Sequence, residues 1–409
     1  MNICRHQLMA PSIFSSSPKL ILRLISIFKP PISVRTITTT TTFTAPSSPC
    51  LMLPPTFVGE NNMIYNFYNL AQNKVLNFNT KKLEDMTRAV GSSHGWLAQF
   101  NEHNSDLTLT NPITGRHIKL PPNKSNVSSF VKIILSCDAD QEDCLAMRIC
   151  NFGKLSFCRP NHNPSEWTHI GKHRCRGLVR CYEDVVYSSR HKLFFCATGV
   201  GIDDLQAWDV ASDPPSLVWQ NTHDLLGLEN YLDFIWQHEN LLIDDNGERR
   251  YTERFKYLVV FVDQLFLVTR HIVRRMAPDG SSTDEGGYDD YPCKTVSFNV
   301  HKIEWELEGG GRLSHMDGGS LDGLAMFIGR NHSFGVLASE SNGLKPNSIY
   351  FTNDKEFTPR DLSDRKYGGH DIGIFDYETK TISPCYYPCD VKRLKKIAPE
   401  PIWFTPTFS

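Results

Sequence analysis

A histidine and a serine stand side by side at positions 332 and 333, and these two residue types can cooperate in nucleophilic catalysis. Such a dyad needs an acid that orients the histidine and an oxyanion hole near the serine. No G-x-S-x-G pattern surrounds Ser333, and neighbours on a strand point to opposite faces, so the two side chains would not share a hydrogen bond. The stretch FIGRNHSFGVLAS predicts instead that His332 and Ser333 sit at the tip or base of a hairpin.

The stretch GSSHGW (91–96) contains the same residue types, and its interpretation is the same. Ser92, Ser93 and His94 are expected to bond the backbone where neighbouring sheets join, and Trp96 is expected to pack between those sheets. We therefore predict no catalytic residue in either stretch.

Metal and phosphate sites are not predicted either. The twelve cysteines include no C-x-x-C, and the nearest cluster, His173, Cys175 and Cys181, lacks the spacing of zinc ligands. Several cysteines, such as Cys150, Cys158 and Cys196, lie in apolar runs and are predicted to be buried structural residues. The glycines at 309–311 are followed by no Lys-Ser/Thr pair, which excludes a P-loop.

One acidic insertion, APDGSSTDEGGYDDY (277–291), could gather a calcium ion through oxygen ligands. Those ligands would come from Asp279, Asp284, Glu285, Asp289 and Asp290. The spacing of an EF-hand is missing, and a Gly/Ser/Asp-rich composition is typical of a disordered loop. Disorder is the preferred interpretation, so the sequence predicts no metal and no cofactor.

The charge is distributed unevenly along the 409 residues. Residues 1–58 contain no Asp or Glu but five bases, and they are rich in Ser and Thr. The segment PKLILRLISIFKP (18–30), wound as a helix, places Lys19, Arg23 and Lys29 along one face. This composition predicts a disordered organellar transit peptide at residues 1–45, mitochondrial by preference, with a chloroplast as the alternative.

Without those five bases, 38 Lys and Arg remain against 45 Asp and Glu. The basic clusters at 172–176, 270–275 and 391–396 could form a patch, but the acidic balance opposes a general phosphate-binding surface. Nucleic-acid binding is therefore not predicted. No run approaches the roughly 18 apolar residues that span a bilayer, so no membrane span is predicted.

After the leader, short extended runs alternate with turn residues, which favours an all-β fold. Three segments align without gaps: DLTLTNPIT (106–114), DLQAWDVAS (204–212) and DIGIFDYET (371–379). Each is expected to be a strand whose terminal Asn or Asp accepts backbone N–H bonds from the following turn. Looser copies are FYNLA (67–71), ICNFG (149–153) and SFNVH (297–301), and the tryptophans at EWTHI, SLVWQ and IEWEL are expected in outer strands. The spacings suit a repeat of roughly 40–50 residues, the period of a four-stranded propeller blade. The sequence thus predicts a kelch-like β-propeller of about six blades, with seven as the alternative, over residues 49–406.

Six segments in order carry a family resemblance: PCLMLPP (49–55), GSSHGWLAQF (91–100), LTNPITGRHIKLPP (109–122), NHSFGVLASESNGLKPNSIYFTND (331–354), HDIGIFDYETKTISPCYYP (370–388) and PEPIWFTP (399–406). Together they resemble the plant family of domain of unknown function 295, the KIB-type β-propellers. Many members carry an F-box before the propeller and are thought to be ubiquitin-ligase substrate receptors. This sequence has a transit-like leader there, so it resembles the organelle-targeted branch of the family.

These observations predict a non-enzymatic interaction module, monomeric, whose top-face loops bind a protein partner. In this interpretation Asn331 to Ser333, Trp96, Trp208 and Phe375 are turn and packing residues. Two alternatives stay open: an enzyme with a site in the propeller channel, and a ubiquitin-ligase substrate receptor.

Overall fold

The architecture is that of a computed structural model, which describes residues 48–59, 62–81, 87–101, 103–122, 130–150, 153–162, 164–171, 174–175, 178–179, 182–198, 205–221, 241–243, 249–273, 294–306, 310–316, 318–339, 342–352, 371–387, 397 and 399–407. These residues belong to the compact unit Pro46–Ser409. The predicted leader at 1–45 and the acidic insertion at 277–291 lie outside them.

Four-stranded antiparallel sheets dominate the described residues. The first contains β1 (Cys50–Val58), β2 (Asn62–Asn69), β3 (Lys74–Lys81) and the last strand of the chain, β28 (Ile402–Phe404), in the order β28-β1-β2-β3. The second runs β4 (Thr87–Ser93), β5 (Trp96–Asn101), β6 (Leu107–Thr110), β7 (His117–Leu120). The third runs β8 (Phe130–Leu135), β9 (Ala146–Cys150), β10 (Lys154–Cys158), β11 (Thr168–Ile170), with a 3-10 turn at Pro160–His162. A small hairpin of β12 (Arg174–Cys175) and β13 (Leu178–Val179) precedes the fourth: β14 (Tyr182–Ser188), β15 (Leu193–Thr198), β16 (Leu205–Asp209), β17 (Ser216–Asn221).

The remaining strands form one ten-stranded sheet made of two groups, of which the first is antiparallel and the second contains one parallel pair, β23 with β25. The fifth group runs β19 (Arg249–Phe261), β20 (Gln264–Val273), β21 (Lys294–Glu306), β22 (Gly310–His315), with β18 (Leu241–Ile243) paired to β19. The sixth contains β23 (Leu324–Ile328), β25 (Ser348–Phe351), β26 (Gly373–Asp376) and β27 (Thr381–Ser383), with β24 (Phe334–Leu337) on the inner side of β23. A single bridge, Val260 to Phe334, joins the two groups.

Apolar clusters fill the space between successive sheets and bring the last group back to the first. Trp96 of the second sheet shares a cluster with Ile133 of the third. Phe327 of the sixth group shares one with Trp403 of β28, which pairs with β1. Because burial of these side chains drives the sheets together, the N-terminal and C-terminal strands close the arrangement by sharing one sheet.

The prediction of an all-β propeller fold is confirmed, and among the described residues no helix is long and apolar enough to cross a bilayer. The number of blades, about six or seven, stays a prediction.

The aligned repeat has the predicted geometry. Asn111 Oδ1 accepts from the amides of Ile113 and Thr114 at 3.0 and 3.1 Å, and it follows β6, the third strand of its sheet. Asp209 and Asp376 end β16 and β26, also third strands, and each accepts from two amides at 2.9–3.1 Å. These three copies therefore mark equivalent positions in different sheets.

The predictions for the three looser copies have different outcomes. Asn69 ends β2, a third strand, and its Oδ1 accepts from Gln72 N at 2.9 Å, so this copy is confirmed. The copy at 149–153 follows β9, the second strand of its sheet; its Asn151 lies outside the described residues, so the predicted cap stays a prediction. The copy at 297–301 is wrong, since Asn299 lies inside β21 and pairs its side chain with His271 rather than capping a turn.

The prediction that three tryptophans lie in outer strands is confirmed only in part. Trp219 lies in the outer strand β17, and Trp167 directly precedes the outer strand β11. Trp305 lies in the third strand β21, so its assignment to an outer strand is wrong.

Candidate functional site

The connection between β23 and β24 contains His332 and Ser333, which confirms their predicted place at the tip or base of a hairpin. We call Arg330–Ser333 the crossing segment, because it contacts strands of several different sheets. Its Asn331 forms a parallel bridge with Ser92 of β4, and the His332 amide donates to the Ser92 carbonyl at 2.7 Å. The connection therefore extends beyond its own hairpin and reaches the second sheet.

Further contacts extend to the other sheets. Lys132 Nζ of β8 donates to Ser333 Oγ at 3.3 Å, and the Tyr187 amide of β14 donates to His332 Nε2 at 3.2 Å. The Val260 amide of β19 donates to the Ser333 carbonyl at 3.5 Å.

Arg330 pairs with Glu400, which precedes β28, at 3.1 Å. The crossing segment thus contacts the five other sheet groups. A segment with contacts to all of them lies where the sheets converge, so it occupies the central channel of the propeller fold.

A buried ion pair lies beside this segment. Lys132 Nζ is 2.5 Å from Asp184 Oδ1, and both side chains are almost fully buried. The Leu258 amide donates to the other oxygen of Asp184 at 2.7 Å. Burial raises the pKa of Asp184, whereas the ammonium and the amide favour its ionised form. Because these partners satisfy both carboxylate oxygens, Asp184 joins three sheets as a structural group.

Two histidines meet next to the ion pair. The rings of His94 and His332 are 5.7 Å apart between centroids. Burial lowers the pKa of His332 well below its usual range, and His94 and Lys132 lower it further. Burial also lowers the pKa of His94. His332 is therefore neutral, with Nε2 as the acceptor of the Tyr187 amide and the proton on Nδ1.

The geometry does not assemble a His–Ser dyad from positions 332 and 333. His332 faces Tyr187 of β14, while the Ser333 hydroxyl faces Lys132 of β8. The expectation that these neighbours point to different partners is confirmed. Among the described residues, no three His, Cys, Asp or Glu side chains are placed to hold a metal ion.

Residues 91–95 read G-S-S-H-G and so match the nucleophile-elbow pattern G-x-S-x-G formally, a match that the sequence reasoning missed. That pattern places its serine between a strand and a helix. Here β4 continues through a two-residue turn into β5, with φ values of 49° at His94 and 79° at Gly95. Ser93 Oγ accepts from the Leu135 amide at 3.1 Å and faces the Leu135 carbonyl at 3.3 Å, so it joins two sheets as predicted.

The packing predictions for aromatic residues are confirmed. Trp96 lies in the cluster between the second and third sheets, and its Nε1 donates to Asp138 Oδ1 at 2.9 Å. Trp208 and Phe375 are both buried in clusters of their own sheets and neighbours.

The first residue of the basic cluster at 270–275 is buried, so it does not contribute to an exposed basic patch. Arg270 is fully buried; it donates to Thr295 Oγ1 at 2.7 Å and to Asp371 Oδ2 at 2.9 Å, and it lies 4.8 Å from the centroid of the Phe351 ring. It is therefore a structural cation. The cluster at 391–396 lies outside the described residues, as do the side chains at 172–176.

Gly310 and Gly311 pair with Glu306 and Trp305 as strand residues of β22, in line with the exclusion of a P-loop. Cys150, Cys158 and Cys196 are buried, as predicted, and burial raises the pKa of each thiol.

Sequence reasoning missed Lys132 and Asp184. A usable signal exists for Lys132, the one charged residue in the otherwise apolar strand FVKIIL; the signal for Asp184 is weaker, because Glu183 stands beside it in YEDVVYS. A charge in such a position is buried only when it is paired. The pattern indicates that partners exist but not which residues they are.

A match to a family model agrees with this fold. The model of the KIB1-4 beta-propeller family matches residues 67–376. No curated protein matches the chain.

Among solved structures, the chain is similar to three proteins at low identity. The Cps50 (Swd1) β-propeller domain from Myceliophteria thermophila is 9% identical, with a TM-score of 0.31 and 68% of this chain and 90% of that chain covered. Hsv2 from Kluyvelomyces marxianus is 7% identical, with a TM-score of 0.30 and 64% and 69% covered. The extracellular domain of the hybrid two component system BT4673 from B. thetaiotaomicron is 10% identical, with a TM-score of 0.29 and 65% of this chain covered; the chain spans only 27% of that one. The family match covers well over half of the sequence, and the chain therefore belongs to the KIB1-4 beta-propeller family.

Proposed function

We propose that this protein is a non-enzymatic interaction module of an organelle, the mitochondrion by preference, and that turns at the ends of its sheets bind a protein partner. One observation carries the proposal: the crossing segment Arg330–Ser333 lies where the sheets converge, and its Arg330, His332 and Ser333 side chains are bonded to residues of other sheets. A ligand in the channel would have to displace that segment. The rigid sheets leave their turns as the accessible surface.

The turn between β19 and β20 is the favoured part of that surface. Val262 is 69% exposed and has a φ of 52°, a conformation that costs a β-branched residue energy. An exposed apolar residue kept in a strained turn supports a role in contact rather than in packing. Leu337, at the end of β24, is 56% exposed.

A pull-down from isolated organelles tests the interaction. We expect the full chain to recover a reproducible protein partner, and Val262→Asp to lose it. Val218→Asp is the matched control, because Val218 is an exposed apolar residue on the outer strand β17 instead of a turn. No reproducible partner, or equal recovery by both variants and the wild type, would contradict the proposal.

The organellar address is tested separately by a fusion of residues 1–60 to a fluorescent protein. Mitochondrial fluorescence is the expected result, and plastid fluorescence would favour the alternative organelle. Cytosolic or nuclear fluorescence of the tagged full chain would contradict the address and favour the ubiquitin-ligase receptor alternative.

The channel-enzyme alternative has its own requirement. Several acids or histidines from different sheets would have to converge on one point. Among the described residues, Asp184, His332 and His94 do come together from different sheets. Their partners favour a structural role, because Asp184 is bonded to Lys132 and the Leu258 amide, and His332 Nε2 accepts from the Tyr187 amide. If the protein turned over a substrate, and a folded Ser333→Ala variant did not, the enzyme alternative would be supported.

A further inference from the structure

Two cysteines face each other in the turn between β8 and β9. The last pair of the ladder is Leu135 with Ala146, and the Ser136 amide donates to the Leu145 carbonyl at 2.9 Å. The Leu145 amide donates to the Ser136 side chain, so one backbone bond continues the ladder beyond β8 and β9. If the register continues by one more pair, Cys137 lies opposite Cys144 and the two cysteines form a non-hydrogen-bonded pair, for which the typical Cα spacing is about 4.5 Å.

The contacts of the thiols agree with this register. The Cys144 thiol donates to the Cys137 carbonyl at 3.6 Å, so the side chain of one cysteine lies against the backbone of the other. Disulfides in proteins join Cα atoms about 4.4–6.8 Å apart, so the backbone spacing of this pair already suits a bond. The turn is held in place by the Ser136 hydroxyl, which accepts from the Leu145 amide at 2.9 Å.

We propose that Cys137 and Cys144 are a reversible dithiol–disulfide site whose oxidant is a low-molecular-weight disulfide such as glutathione disulfide. The remaining described cysteines were expected to be structural, and this pair is the exception. The inference does not depend on the proposed interaction function.

The exchange takes two steps that balance. The Cys137 thiolate attacks one sulfur of glutathione disulfide; that S–S bond breaks, and one glutathione leaves with a proton. The Cys144 thiolate then attacks the Cys137 sulfur of the mixed disulfide and expels the second glutathione. Two protein thiols are oxidised to one disulfide, and one glutathione disulfide is reduced to two thiols.

The order of the steps follows from exposure. Cys137 is half-buried and accessible to a small disulfide, whereas Cys144 is buried and can reach only its neighbour. Burial raises the pKa of both thiols, and Asp143 and Asp138 raise that of Cys137 further. The first step is therefore slow, while the second benefits from the proximity of the two sulfurs.

The bond would close a short acidic turn, CDADQEDC (137–144), in which Asp138 accepts from Trp96 Nε1 and Asp140 pairs with Arg116. The redox state of the pair would thus fix or release the side of the turn that contacts the second sheet. A disulfide with a partly exposed sulfur, such as that of Cys137, is more easily reduced than a buried structural one.

The test uses the folded full chain and one proteolytic peptide. Trypsin releases residues 133–148 as a single peptide that carries both cysteines. After incubation with excess glutathione disulfide and alkylation of free thiols, we expect this peptide to have lost two hydrogen atoms and to resist alkylation until dithiothreitol is added. The peptide that contains Cys196 is the internal control, and its buried thiol should be alkylated only after the protein is unfolded.

Two variants separate the steps. In Cys144→Ser the reaction should stop after the first step, with one glutathione bound to the 133–148 peptide. In Cys137→Ser the same peptide should remain unmodified under the same conditions. The double Cys137→Ser/Cys144→Ser variant provides the unmodified reference. A wild-type peptide that stays fully alkylatable, or that ends as a glutathione adduct without the internal disulfide, would overturn the proposal.

Discussion

Lys132 Nζ lies 2.5 Å from Asp184 Oδ1, with both side chains buried, and this ion pair links β8 of the third sheet to β14 of the fourth. The same ammonium reaches Ser333 in the crossing segment at 3.3 Å. One buried cation thus joins two sheets to the segment that occupies the channel. Removal of either charge leaves the other without compensation in a medium that solvates it poorly.

Lys132→Met should therefore destabilise the fold by about 3–5 kcal/mol, because it leaves the Asp184 carboxylate buried and unpaired. Denaturant unfolding measures the free energy. The double variant Lys132→Met/Asp184→Asn should recover much of the loss, since Asn can still accept from the Leu258 amide without carrying a charge. A single variant that costs no more than the double one would show that the pair contributes little.

Stability should fall in acid through His332. Its folded pKa lies well below the unfolded value of about 6.5, so below that pH the unfolded chain binds more protons than the folded one. The contribution is complete above pH 6.5 and is lost as the pH falls. Protonation would also place a donor against the Tyr187 amide. Unfolding measured from pH 7.5 to 4.5 should show a smaller slope for His332→Gln, which keeps an acceptor and does not titrate.

His271 gives an independent check in another sheet group. Burial, with a smaller effect of Arg254, lowers the pKa of His271 to about 4. The difference from the unfolded value corresponds to about 3 kcal/mol lost between pH about 6.5 and about 4. His271→Gln should flatten the profile over that range while it keeps an acceptor for the Asn299 amide group. An unchanged profile in both variants would mean that other groups govern acid unfolding.

Gly91→Ala should destabilise the junction of the second and third sheets by about 3 kcal/mol, because added carbon in a packed interior forces the backbone apart. A Cβ at Gly91 would lie 1.9 Å from the Ile133 carbonyl oxygen. Thermal unfolding of the variant measures the effect. Gly318→Ala is the matched control: its Cβ would meet nothing within 4 Å, and only its φ of 75° opposes the change. Equal losses in the two variants would contradict the close approach of β4 to β8.

Asp209→Ala should cost about 0.5–1.5 kcal/mol, the typical net contribution of a hydrogen bond, because two turn amides lose their acceptor. Asp209→Asn should be nearly neutral, since a carboxamide oxygen accepts the same bonds, as Asn111 does in its own turn. Chemical denaturation of both variants provides the comparison. If the two cost the same, the turn bonds do not contribute to stability.

The repeat was predictable because its parts are local. Asn111, Asp209 and Asp376 accept bonds from amides two or three residues ahead, and alternation along a strand is a property of neighbouring residues. The same reasoning failed at Asn299, where the letters match but a long strand continues through the motif. The sequence alone does not show whether a turn follows the motif, so it does not separate Asn299 from the Asn and Asp residues that do accept turn amides.

The sequence by itself therefore determined the all-β class, the strand-turn unit and the structural character of Ser93 and Trp96. Only the tertiary structure decided that Arg330–Ser333 crosses the convergence of the sheets, that Lys132 pairs with Asp184, and that Cys137 faces Cys144. The physical reason is that alternation and turn chemistry depend on residues a few positions apart. The partners of a buried charge or thiol depend instead on which strands the closed arrangement of sheets brings side by side, and local preference carries no record of that.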